Sequence, residues 1–299
     1  MKKVGQFFFI FVPFIVVFGL QLLATVFSMG ISALITCGLQ ASLGSFHFSS
    51  VTNALDSLWI SENFNTGIML VYALLSIALF GIWYYGSYGG IYLPNPKKVF
   101  HPLSFIGILM LVPGMQYLSS YIISLTATLF PHSLEVYIDL LENAGLDNSI
   151  SPLMLVYSVL LAPVCEELIF RGVTLRQAEK CLPFWLANLM QAVLFGFFHM
   201  NLIQGVYAFC LGLVLGYVCE RGGSIYHAIL LHLLFNFWGT VLSEYFYMDD
   251  TVFSFVFWFL FAMVMTIAGI LVFRTGMQKC AQKERDSQAK DPSSSSDMY

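Results

Sequence analysis

Residues 151–171 read Ser151-Pro-Leu-Met-Leu-Val-Tyr-Ser-Val-Leu-Leu-Ala-Pro-Val-Cys-Glu-Glu-Leu-Ile-Phe-Arg171, an almost purely apolar run with two adjacent carboxylates and an arginine near its end. Ionisable side chains inside a membrane are costly, so carboxylates in such a run mark function by default. Two later apolar runs add one histidine each, His199 and His232, and the second adds Asn236 one helical turn further on. A carboxylate, two imidazoles and an amide converging inside a bundle supply the parts of a hydrolytic centre.

The rest of the chain agrees with a membrane setting. Hydrophobic residues make up 58% of the 299 and charged residues 10%, too little polar surface to coat a soluble globule. Apolar stretches long enough to cross a bilayer as helix fall at 7–37, 67–87, 103–130, 152–170, 183–199, 202–219, 224–243 and 252–273. The fold expected is all-α, a polytopic membrane helix bundle of about eight transmembrane helices. If Lys2 and Lys3 lie inside, all 13 Lys and Arg residues fall on inside segments or span ends, and the outside segments 38–66, 131–151, 200–201 and 244–251 carry none. This charge asymmetry places both termini in the cytoplasm and the chain in the cell membrane as a multi-pass protein.

Four parts are expected. Residues 1–150 hold about three N-terminal spans, 151–245 a catalytic helical core, 246–279 the last span, and 280–299 a polar, Ser-rich, disordered cytoplasmic tail. The apolar start is too long for a cleaved signal and reads as a permanent span. The six cysteines form no CxxC pair and imply neither a disulfide framework nor a cysteine zinc site. No basic patch suggests nucleic acid. Segment 131–151 reads as a connector, although Leu134–Asn143 could instead form a short amphipathic helix on the outer surface.

Helical geometry decides which polar groups can meet. Glu167 and Arg171 lie one turn apart, suited to a charge-assisted hydrogen bond, while Glu166 points about 100° away. Asn188, Gln191, Phe195 and His199 form one stripe; His232, Asn236, Gly239 and Ser243 form another. Polar stripes on apolar helices face the bundle interior or a wet cavity. Peptide hydrolysis needs an activated water, a base and donors for the developing oxyanion. Glu166 suits the base, a neighbouring histidine can hold the water, and His232 and Asn236 can donate together to one oxygen. Alternatively Glu166, His199 and His232 bind a divalent metal such as zinc, with an open fourth position.

Three segments also carry a family resemblance. Ala162-Pro-Val-Cys-Glu-Glu-Leu-Ile-Phe-Arg-Gly172 resembles the EExxxR motif of the CPBP intramembrane proteases, which include CAAX prenyl proteases and bacteriocin-processing relatives. Phe195-Gly-Phe-Phe-His199 resembles their FxxxH motif, and His232-Leu-Leu-Phe-Asn236 their HxxxN motif. The three stand in order across residues 150–245, and the short outer loops look more like the bacterial branch. The resemblance implies that Glu166 and His199 activate the water, His232 and Asn236 stabilise the oxyanion, and Glu167 and Arg171 support them. It implies an endopeptidase acting on a lipidated, CAAX-like or membrane-associated peptide near the cytoplasmic face, and it leaves metal dependence open.

Plainer readings stand beside these. Arg171 could be a charge anchor, and single membrane histidines are commonly structural, as His227 reads. The Gly212–Gly216 spacing reads as close helix packing. Asn201 and Gln204 suit either the cavity mouth or capping. HExxH and GxSG motifs and an intramembrane aspartate pair are absent, which removes the other intramembrane protease classes. Beyond the bilayer and a membrane-associated or prenylated peptide, no partner or oligomeric state is legible. The competing function is a non-catalytic membrane scaffold or bacteriocin-immunity factor. A proton- or metal-coupled transporter is weaker, because no inverted repeat appears.

Overall fold

The computed structural model describes residues 2–44, 47–59, 61–92, 101–143, 150–246 and 251–290, and every element in them is helical. The helices are α1 (Lys2–Phe9), α2 (Val12–Ser42), α3 (Phe48–Trp59), α4 (Glu62–Tyr92), α5 (Pro102–Leu129) and α6 (Pro131–Asn143). There follow α7 (Pro152–Glu179), α8 (Phe184–Phe198), α9 (Leu202–Gly222), α10 (Ile225–Leu242) and α11 (Val252–Lys290). The expected all-α polytopic bundle is therefore observed.

Among the described residues, seven helical stretches are long and apolar enough to cross a membrane: Val4–Ser42 and α4, α5, α7, α9, α10 and α11. The expected fifth span, 183–199, is the shorter α8 of 15 residues, about 22 Å of helix. The sequence pattern does not reveal this shortfall, because the apolar run simply continues into the α8–α9 turn. Pro13 at the start of α2 coincides with a break after α1; it cannot donate to the ladder.

Two further expectations need correction. Segment 131–143 is the helix α6, with Glu135, Asp139 and Glu142 exposed, so a helix stands there in place of a plain connector. Residues 280–290, read as part of a disordered tail, continue α11. A helix already nucleated by a long apolar span propagates at little cost into polar sequence lacking Gly or Pro. The remaining tail, 291–299, lies outside the described residues.

Contacts define two ends of the bundle. At one, Tyr88 Oη donates to Gln177 at 3.2 Å, Lys180 sits over the Tyr88 ring, and Arg176 Nη1 donates to Glu179 (2.8 Å) and Glu220 (2.6 Å). Gly276 of α11 lies against Leu103 and Ser104 there. At the other end, Tyr121 Oη donates to the Phe255 carbonyl at 2.6 Å, and α6 packs on α5 and α9. The core between is apolar and aromatic, with Phe80, Phe170, Phe195 and Phe273 fully buried.

Candidate active site

The site is built on α7, α9, α10 and the α8–α9 turn. Adjacent in sequence, Glu166 and Glu167 have different surroundings. The Glu167 side chain is completely buried, whereas that of Glu166 keeps 13% exposure and lines a cavity. Glu167 Oε1 accepts from Arg171 Nη1 at 2.9 Å and faces His232 Nδ1 at 2.8 Å. Arg171 is fully buried too, with its guanidinium 4.4 Å above the Phe195 ring. A buried ion pair survives when further hydrogen bonds satisfy its members; Arg171 Nη2 also reaches the Gly212 carbonyl at 3.4 Å. Arg171 is thus a core group, and its role as a mere charge anchor is ruled out.

Because the Arg171-paired carboxylate only accepts, His232 Nδ1 is the donor in its bond to Glu167. Its other nitrogen, Nε2, faces Glu166 at 3.7 Å. The same logic holds for His199. Its Nδ1 lies 2.9 Å from the Phe195 carbonyl oxygen, which can only accept, leaving Nε2 as the unprotonated nitrogen of a neutral ring. His199 occupies the turn after α8, where Met200 adopts φ 51°. A left-handed residue costs energy unless its surroundings over-determine it. The short α8 and this turn bring His199 to the same cavity as Glu166, His232 and Asn236.

Asn236 Nδ2 donates to the Ser158 carbonyl at 2.8 Å, and the sequence explains why that carbonyl is free. Residues Tyr157–Leu161 wind as a π-helical turn, closed by Ala162 N–H on the Tyr157 carbonyl. The next bond in that register would run from residue 163 to Ser158, but Pro163 has no N–H. The orphaned carbonyl takes the Asn236 amide, which retains a second N–H. Two more π-helical stretches, Leu168–Leu175 and Trp238–Leu242, flank the motif residues. Such bulges gather at functional sites because they re-aim side chains within a helix.

The cavity measures about 700 Å³. Besides the four motif residues it is lined by Gln116, Ser119, Tyr157, Gln204, Tyr207 and Gly239, among others. Gln116, Ser119 and Tyr207 escape a reading by motif, since nothing in their local sequence separates them from ordinary span residues. Asn201 caps α9, accepting from Gln204 N at 3.1 Å, and Gln204 lines the cavity. Asn188 and Gln191 are taken up elsewhere. They bond the Leu213 and Gly212 carbonyls at 3.0 and 2.9 Å, where Gly212 and Gly216 let α8 and α9 approach. His227 packs edge-on to Phe273 and does not line the cavity.

Among the described residues, no group of three His, Cys, Asp or Glu side chains is gathered so as to hold a metal ion. Glu167 and the Phe195 carbonyl hold Nδ1 of His232 and of His199, which leaves Nε2 as the atom each ring turns to the cavity. As placed, Glu166, His199 and His232 are not gathered as a ligand set.

Residues 148–238 match the family model described as Type II CAAX prenyl endopeptidase Rce1-like. Among curated proteins, the chain is 29% identical over 85 residues to "Putative membrane peptidase YdiL" of Bacillus subtilis. That alignment covers 28% of this chain and 35% of the relative, so the likeness spans about a third of the curated protein. No solved structure matches the chain significantly.

Proposed function

Since residues 148–238 are of the CPBP intramembrane protease family, we propose that this multi-pass membrane protein is an endopeptidase acting on a membrane-associated peptide, with Glu166 as its base. The observation that carries the reading is the division of labour between neighbouring carboxylates. Glu167 is consumed by Arg171 and His232, while Glu166 remains at the cavity wall.

In the proposed reaction, water lies between Glu166 and His199 Nε2. Glu166 takes its proton as the oxygen attacks the peptide carbonyl. The free N–H of Asn236 donates to the developing oxyanion. His232 can join it through Nε2 only with both nitrogens protonated, its charge then lying between Glu166 and Glu167. Collapse of the tetrahedral species expels the amine, which receives the proton held by Glu166. Arg171 and Glu167 orient His232 and touch no reacting atom. This mechanism needs no metal, so cleavage is expected to survive strong chelators.

The test compares membranes containing wild type with membranes containing Glu166→Gln at matched expression, by mass spectrometry of new peptide termini. Termini present only with wild type establish proteolysis and name the substrate, including any lipidation. Identical termini with the substrate present refute the enzyme reading in favour of a non-catalytic scaffold. Loss of cleavage on chelation, restored by zinc, overturns the metal-free mechanism.

A further inference from the structure

The cavity belongs to one end of the bundle. Its lining is drawn from the late part of α5 (116–123), the start of α7 (150–166), the α8–α9 turn with early α9 (198–211), and the later part of α10 (232–243). Tyr137, Leu140 and Leu141 of α6, Met69 in the first turns of α4, Gln21 of α2 and Phe195 of α8 also line it, and Tyr137 is hydrogen-bonded to Tyr207. From Pro152 to Glu166 the helix descends about 21 Å, so Glu166 lies at the floor of a funnel. Its mouth lies beside α6 and Ser243 at the end of α10.

The basic residues of the described helices collect toward the opposite end. Lys2 and Lys3 begin α1, Lys180 follows α7, Arg221 lies in the last turn of α9, and Arg274, Lys279, Lys283, Arg285 and Lys290 lie late in α11; Lys97 and Lys98 lie outside the described residues. Arg171 and Arg176 are held by internal carboxylates, so they do not count as free anchors. Among the described residues, no Lys or Arg lines the cavity. Basic residues near span ends stay on the cytoplasmic side. The two observations together put the mouth on the far side.

The geometry points to a catalytic funnel that opens on the non-cytoplasmic face and takes membrane-anchored peptides whose scissile bond lies on that side. The inference rests on the protease reading and deepens it. It replaces the sequence expectation of cleavage near the cytoplasmic face. A cytosolic CAAX-type terminus would meet the closed, arginine-bonded end of α7 and α9; an exported or outward-facing peptide would meet the mouth under α6.

Two measurements on the full chain test this separately. Glu135→Cys on α6 and Lys180→Cys at the opposite end are each exposed to a membrane-impermeant maleimide in intact cells. Labelling is read by mass spectrometry on the peptide bearing the new cysteine, so the native cysteines remain. Glu135→Cys is expected to label in intact cells, and Lys180→Cys only after permeabilisation. The reverse pattern overturns the inference. In the comparison of wild type with Glu166→Gln, the Glu166-dependent termini should map to non-cytoplasmic segments. Termini confined to cytoplasmic segments overturn the inference and leave the protease standing. Absence of any Glu166-dependent terminus, with labelling as expected, refutes the protease reading and keeps only the orientation.

Discussion

Two helix assemblies in this protein solve one problem in different ways. The α5–α11 pair is joined through small residues: a Cβ at Gly107 would lie 2.5 Å from Phe273 N, and one at Gly114 2.5 Å from Thr266 Oγ1. The α7–α10 assembly also uses close glycine approach, at Gly196, Gly205, Gly212 and Gly216. It adds a fully buried ion pair, a histidine and two amides to its interior. Lipid is as apolar as leucine, so helices in a membrane gain little from hydrophobic burial against each other and rely on backbone approach or polar bonds. Approach alone gives a scaffold. Polar bonds also fix orientations, and here they leave one carboxylate, Glu166, at the cavity wall.

Substitutions can break this contrast. The largest effect is expected at the ion pair. Arg171→Met leaves Glu167 buried beside only His232 and should cost about 3–5 kcal/mol, read as detergent-resistant folded fraction against denaturant. Adding Glu167→Gln should recover part of that loss without restoring cleavage. If Arg171→Met were neutral, the polar interior would not be holding this assembly together.

Next comes Asn236→Ala, which removes a proposed oxyanion donor. It should lower kcat by roughly 10²–10³-fold with a much smaller change in KM, measured on the substrate identified from the termini. A change confined to KM would show that Asn236 helps to bind substrate and is no oxyanion donor.

The glycine pair offers the third test. Gly107→Leu must push apart the backbones of α5 and α11, at a cost of about 1–3 kcal/mol, visible as a lower midpoint of thermal aggregation in detergent. Cleavage per folded molecule should stay near wild type, since neither helix supplies a proposed catalytic residue.

The smallest change is expected for Asn188→Ala, which deletes one interhelical bond, worth roughly 0.6 kcal/mol in a membrane. Gly216→Ala places its Cβ on Asn188, so the double variant should be more stable than Gly216→Ala alone. Equal stability would show that Asn188 can swing away and is not fixed by Leu213.

Much of this is legible in the chain because a bilayer imposes simple rules. Spans need length and apolarity, and ionisable groups in them stand out. Glu166, His199, His232 and Asn236 are found that way and line one cavity. Asn188 and Gln191 share a stripe with His199, yet they bond α9 backbone, since a helical stripe gives direction but not the neighbour that meets it. The π-helical turns are invisible to a reading at 100° per residue. Even so, Pro163 is the signal from which the freed Ser158 carbonyl follows.

By itself, the sequence determined that this is a helical membrane protein, which polar residues lie within its spans, and which end of the bundle collects positive charge. These follow from composition and from the cost of moving charge through lipid, both local properties. Only the tertiary structure decided that Glu167 is bound and Glu166 left at the cavity, that His232 turns Nε2 toward Glu166, and that the cavity lies away from Lys180 and Arg221. Those outcomes depend on which atoms of distant helices meet. Helices packed through glycines and buried polar bonds have few ways to fit, and the fit chosen assigns each carboxylate its neighbours.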